Sequence, residues 1–248
     1  MPSIIELQNI AVGYGETAVM HDLNFCVQKG EIFVVMGVNG CGKSTLLKSL
    51  IGLSPPLAGK ILYDGKSLWD EDEDGQKKMM RRFGVLYQNG ALWSSMSVEE
   101  NVALPLQLYS TKSEAEIKET VAAKLSLVGL EGFGSYFPAG LSGGMRKRAS
   151  LARAIALDPD IIYFDEPSAG LDPTNARKLD DLILKLKEST GATIVIITHD
   201  LASIFAVATN SVFLDAQIKT MIACGDPKEL LAHSQDRKVI RFLTRSAE

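Results

Sequence analysis

The chain has 248 residues, 46% of them hydrophobic and 23% charged, with a formal net charge of −4. That length is enough for one domain, or for a core carrying a subdomain, and the acidic balance gives no reason to expect a nucleic-acid partner. No apolar run nears the roughly 20 residues a membrane-spanning helix needs, and Met1 to Glu6 holds neither a basic segment nor a signal-like core, so the expectation is a cytoplasmic chain that does not cross a bilayer.

In chain order, Ile4 to Val12 alternates apolar and polar residues and reads as a strand. Tyr14, between Gly13 and Gly15, is expected on a tight loop. Leu23 to Val27 reads as a second strand, and such close strands suggest a small antiparallel sheet. Ile32 to Met36 is a short apolar run that suits a buried strand. Ser44 to Gly52 suits a helix with Leu46, Leu47 and Leu50 inward. Gly59 to Tyr63 is a strand with a turn at Asp64-Gly65. Trp69 to Asp74 is expected as an exposed loop, Gln76 to Arg82 as a short basic helix, and Gly84 to Tyr87 as a strand ending at Gln88.

Asn89 to Trp93 follows as an apolar turn. Ser97 with Glu100 forms a capping box, and Pro105 should end or kink the helix behind it. Lys112 to Val128 is a longer helix, capped by Ser113 and ended by Gly129. Leu141-Ser142-Gly143-Gly144-Met145 opens a helical pattern through Leu157. Ile161 to Phe164 is an apolar strand that runs into Asp165-Glu166-Pro167. Thr174 to Glu188 is a helix, and Ala192 to Ile197 a strand leading to Thr198-His199-Asp200. Val212 to Asp215 and Lys219 to Ala223 suit a hairpin. Short helices open at Asp226 and at Asp236. The implied architecture is α/β with a mostly parallel core sheet. Residues 1–88 and 158–232 form the core with its β-subdomain, 89–157 an inserted helical subdomain, and 233–248 a tail. That tail can pack on its own chain or reach a neighbour.

The chemistry begins at Gly37-Val38-Asn39-Gly40-Cys41-Gly42-Lys43-Ser44-Thr45, a G-x-x-x-x-G-K-S phosphate loop between strand and helix. Glycines let several N–H groups face one anion, and the helix N-terminus adds about half a positive charge. Lys43 can reach the β- and γ-phosphates, and Ser44 can ligate Mg²⁺. Asp165, ending a buried strand, suits the same metal, and Glu166 can accept the proton of an attacking water. Gln88 ends another strand with an amide that can touch metal and water. His199 can hydrogen-bond a γ-phosphate; a lone histidine there is otherwise structural. Tyr14 can stack on adenine or lie as a surface tyrosine. Ser142-Gly143-Gly144, at a helix start, is a second anion site or a simple cap. One nucleotide has no need of two such sites from one chain, so a head-to-tail pair of copies with ATP between them is the economical account. Cys26, Cys41 and Cys224 show no metal spacing and are expected as reduced thiols.

Taken together, these features resemble an ATP-binding cassette (ABC) ATPase over nearly the whole chain, in that family's order: Tyr14, Gly37 to Thr45, Gln88, Leu141 to Met145, Asp165-Glu166, Asp172, His199. The resemblance implies ATP and Mg²⁺ as cofactors and a sandwich dimer in which Ser142, Gly143 and Gly144 act across the interface. Glu166 would be the base, and Asp172 would help join the two sites. Gln88 to Leu92, Asn101 to Leu106 and Leu141 to Met145 resemble the Mla-type (MCE-associated) phospholipid-transport group, with Met145 in place of the commoner glutamine. Trp93 stands where that group usually has phenylalanine, and Ser168-Ala169 also departs from the commonest cassette loop.

The function implied is the ATP-hydrolysing subunit of a bacterial inner-membrane lipid transporter, peripheral on the cytoplasmic face. A separate permease would dock near Asn89 to Ser97, with an MCE-type lipid-binding protein in the complex. A small-solute importer or a lipoprotein exporter is the alternative. A DNA- or ribosome-associated cassette is a further class. It fits poorly, because the gap from Lys43 to Ser142 carries no sustained heptads and the chain holds one cassette.

Overall fold

The computed structural model describes residues 2–246. Met1, Ala247 and Glu248, the outermost residues of the N-terminal core segment and of the 233–248 tail, lie outside the described residues.

The first hairpin pairs β1 (Ser3–Tyr14) with β2 (Thr17–Gln28), antiparallel. Both strands outrun the sequence reading, and Tyr14 is the last residue of β1 rather than part of a loop. The turn needs only Gly15 and Glu16 between the paired residues Tyr14 and Thr17. β3 (Ile32–Gly37) is buried at all six positions, as a strand covered on both faces must be. It leads to α1 (Lys43–Leu50). β4 (Ala58–Tyr63) pairs antiparallel with β1, and the two-residue β5 (Lys66–Ser67) completes a four-stranded sheet in the order β2-β1-β4-β5.

The loop expected over Trp69–Asp74 is instead a short 3₁₀ turn, Leu68–Asp70, followed by α2 (Glu73–Met80), which Asp72 caps. After β6 (Phe83–Leu86) come α3 (Val98–Tyr109) and α4 (Glu114–Leu127), each opened by a complete capping box, at Ser97/Glu100 and Ser113/Glu116. Pro105 lies inside α3 and does not end it. Burial of Val102, Ala103 and Leu106 around it outweighs the ~3 kcal/mol that an interior proline costs. α5 (Gly143–Ala154), β7 (Ile161–Asp165) and α6 (Pro173–Thr190) follow. Gly191, at φ 66°, closes α6 in the left-handed conformation.

β8 (Thr193–Thr198) is followed by α7 (Leu201–Val207), a helix the sequence reading missed. β9 (Asn210–Asp215) and β10 (Thr220–Gly225) form the expected hairpin. The six-stranded sheet runs β10-β9-β3-β8-β7-β6, parallel throughout except at the β10 edge. Phe25 of β2 stacks on Phe33 of β3 at 5.3 Å, which packs one sheet on the other. Among the described residues no helix is long and apolar enough to cross a membrane.

α8 (Pro227–His233) and α9 (Arg237–Thr244) close the described chain. The described part of the tail packs on its own chain. Val239 and Leu243 are buried in the main core, the Phe242 ring meets Phe213 at 4.9 Å, and Lys238 pairs with Asp215 at 2.7 Å. Burying two such aliphatics contributes about 3–6 kcal/mol and the aromatic pair about 1 more. Truncation before Asp236 is therefore expected to lower the melting temperature by about 10 °C without changing the mass of the assembly. Calorimetry and light scattering check both.

Candidate functional site

The two sheets, α1 and the strand ends of the parallel sheet converge on an open cleft of about 510 Å³. Gly42 turns the chain into α1 with φ 100°, and a Cβ there would stand 2.6 Å from Met20 Cγ, so glycine is required on both counts. Leu46 N–H donates to the Gly42 carbonyl at 2.9 Å, which starts the helix at the loop. Lys43 is buried, and its ammonium donates to the carbonyls of Gly37 at 2.8 Å and Val38 at 3.1 Å. Its Nζ also lies 3.9 Å from Glu166 Oε1.

Glu166 follows β7 with φ 45°, a left-handed conformation uncommon for a residue with a side chain. Its Oε1 lies 2.9 Å from His199 Nδ1, and its Oε2 accepts from Thr198 Oγ1 at 3.2 Å. The carboxylate is thus held at both oxygens, facing the phosphate loop. His199 and Thr198 reach it from the end of β8.

Tyr14, Asn39, Gly40, Gly42, Lys43, Ser44, Thr45, Gln88, Glu166 and His199 all line this cleft, together with Val19, which the sequence did not single out. Tyr14 is 59% exposed; its hydroxyl lies 3.3 Å from Thr45 Oγ1, and Lys48 Nζ stands 5.3 Å over its ring. Cys41 is turned into the core, so only its backbone faces the loop. Cys26, Cys41 and Cys224 are free thiols, as expected.

Asp165 stands behind the cleft lining. Its Oδ1 is buried with no hydrogen-bond partner, and burial, then the adjacent Glu166 charge, pushes its carboxyl above the ordinary value. An orphaned carboxylate oxygen in that position fits a site for a cation. A hydroxyl, an amide and a carboxylate (Ser44, Gln88, Asp165) form the oxygen donor set that Mg²⁺ prefers.

Ser142, Gly143 and Gly144 are not part of the cleft. Ser142 caps α5, its Oγ accepting from Met145 N–H at 3.3 Å, and the residue is exposed. Gly144 faces Asn175, which donates its side-chain amide to Asp172, and Asp172 caps α6 by accepting from Thr174 and Asn175 N–H. So one chain presents two separate helix starts suited to anions, each on its own surface. Sequence reasoning missed Thr198, Lys48, Lys147 and Arg153. Lys147 sits between Arg146 and Arg148 and, unlike them, is buried.

Away from the cleft lining, Asn101 is wholly buried on α3. Its Oδ1 accepts from Trp93 N–H at 2.8 Å, and its amide donates to the carbonyls of Trp93, Met96 and Ser97. Trp93 itself is 60% exposed.

Fold and cleft together define a phosphate-loop nucleotide-binding cassette. Residues 20–169 match the model of the family described as ABC transporter. The chain is 39% identical over 241 residues to the intermembrane phospholipid transport system ATP-binding protein MlaF of Haemophilus influenzae, covering 97% of this chain and 90% of that protein. It is 41% identical over 239 residues to the "Probable ribonucleotide transport ATP-binding protein mkl" of Mycobacterium tuberculosis, covering 96% of this chain but spanning only 66% of the length of that relative. A dimeric ATP-binding cassette in a post-hydrolysis state bound to ADP and Pi superposes with a TM-score of 0.79 at 30% identity, over 89% of this chain and 97% of that one. The chain belongs to the ABC transporter family and has the fold of its ATP-binding cassettes.

Proposed function

We propose that this chain is the ATP-hydrolysing subunit of a bacterial inner-membrane transporter that moves phospholipid through a separate permease. The observation that carries the ATPase part is the Glu166 carboxylate, fixed by Thr198 and His199 and facing buried Lys43 across the phosphate-loop cleft. The cargo is supported by likeness to MlaF along nearly the full chain.

Lys43 and the loop N–H groups of Val38 to Thr45 hold the triphosphate, and Tyr14 stacks on the base. Ser44, Gln88 and Asp165 would hold Mg²⁺, which when bound neutralises charge on the phosphates. Glu166 orients a water and takes its proton, while Thr198 and His199 keep the carboxylate aimed. His199 is also placed to donate to the γ-phosphate. Ser142, Gly143 and Gly144 of a second copy close over the nucleotide, and Asp172 stiffens the neighbouring helix start through Asn175. A second copy is supported by the dimeric cassette of like fold.

The same reading divides the chain into a core (1–88 and 158–232), a helical subdomain (89–157) and a tail (233–248). The packing of α3, α4 and α5 on one another supports it. It places the cassette peripherally on the cytoplasmic face, beside an MCE-type lipid-binding protein. The permease docks near Asn89 to Ser97, where Trp93 offers an exposed aromatic anchor on a braced loop.

Trp93→Ala is expected to cost about 2 kcal/mol of permease binding, roughly thirtyfold, and to abolish phospholipid transfer between vesicles with intrinsic ATPase unchanged. Unchanged co-purification and transfer would remove the docking assignment. Extraction of the parent complex tests the cargo: bound phospholipid supports the proposal, and a bound ribonucleotide as the transported solute supports the reading that the name of mkl carries.

A further inference from the structure

Lys147, Ser150 and Arg153 stand three residues apart on α5 and face one way. All three meet the segment that begins at Gln88. Lys147 is only 6% exposed; its ammonium donates to the Gln88 carbonyl and, at 3.4 Å, to the Glu166 carbonyl. Arg153 donates to the carbonyls of Ala91 at 2.7 Å and Gly90 at 3.0 Å. Gly90 has φ 77°, and a Cβ there would stand 2.4 Å from Ser150 Oγ, so the loop lies flat on the helix.

A buried cation is costly, and an apolar side chain of the same length would pack there more cheaply. What methionine could not do is donate to two carbonyls at once. These two belong to Gln88 and Glu166, the amide and the carboxylate that line the cleft. The helix carrying Lys147 begins at Ser142-Gly143-Gly144, the second anion-suited surface.

We infer that Lys147 is a positioning residue that ties Gln88 and Glu166 to α5, so that the cleft is aligned for hydrolysis in step with the Ser142–Gly144 end of that helix. The inference rests on the ATPase reading above. Lys147 touches neither nucleotide nor water; it acts through the two backbones it holds.

The test uses the full chain and four comparisons: the parent, Lys147→Met, Gln88→Ala and the double variant. Lys147→Met is expected to lower kcat about tenfold, with the Kd for ATP changed less than about twofold. Lys147→Arg keeps the charge and recovers part of the loss. In the Gln88→Ala background the same lysine change costs at least about threefold less than in the parent, because much of its effect runs through Gln88.

Parent-like kcat in Lys147→Met overturns the inference. So does full multiplicativity in the double variant, or ATP affinity that falls as far as kcat, which would mark general damage. Should the methionine variant not fold, Lys147→Leu, which likewise has no donor, carries the same cycle with the same criteria. Failure of the parent itself to hydrolyse ATP is a different result, because it removes the ATPase reading and the inference with it.

Discussion

Replacing Glu166 by glutamine is expected to leave ATP binding intact and to cut turnover by about 10²–10⁴-fold, the usual contribution of a positioned base. Glutamine matches the shape of the side chain and keeps one oxygen for the Thr198 hydroxyl or the His199 ring. It cannot take a proton. It also removes the negative charge that stands 3.9 Å from Lys43, so the lysine is left to the phosphates alone and affinity does not fall. ATP then persists between two copies, and the mass measured by light scattering with ATP should double. Phosphate release within tenfold of the parent would take Glu166 out of the base role.

Lys43→Ala is expected to raise the Kd for ATP by about two orders of magnitude. Removing one partner of a desolvated charge pair costs about 2–5 kcal/mol, because the other charge stays buried and unpaired. Here the abandoned charge is the phosphate, and Glu166 loses its nearest cation at the same time. The loop itself persists. Its shape depends on Gly42 and on the first hydrogen bond of α1, and only the Gly37 and Val38 carbonyls lose a donor. Nucleotide titration checks the affinity. Thermal melting gives a second reading: the parent gains several degrees at saturating ATP and the variant does not. An unshifted Kd would mean that Lys43 serves only to pin the loop carbonyls.

The phosphate loop, the acidic pair at the end of β7, the Ser97/Glu100 capping box and the Ser113 cap were legible because each is a local pattern, with its physics contained in a few consecutive residues. The ends of β1 and β2 were not, because hairpin pairing carries the strands past the apolar stretch that announced them. Pro105 was read as an end or a kink, and the helix runs on past it, since its cost is local while the burial that offsets it comes from other elements. α7 has seven residues, too few for periodicity to speak, and it exists because Leu201, Ile204 and Val207 find a core to enter. Lys147 was invisible for the same reason in reverse, as only tertiary packing separates a buried lysine from its exposed neighbours. The contact between His199 and Glu166 was not legible either, because the ends of β7 and β8 meet only through their pairing in the sheet.

The bracket that Asn101 makes around residues 93–97 has a mechanical meaning. Four hydrogen bonds, three donated and one accepted by one buried amide, tie the tryptophan's backbone to the first turn of α3. A floppy strap would absorb a displacement as slack. This mounting ties the loop backbone to the helix, so under the docking proposed above a displacement of residues 93–97 would be carried into α3 rather than taken up by the loop.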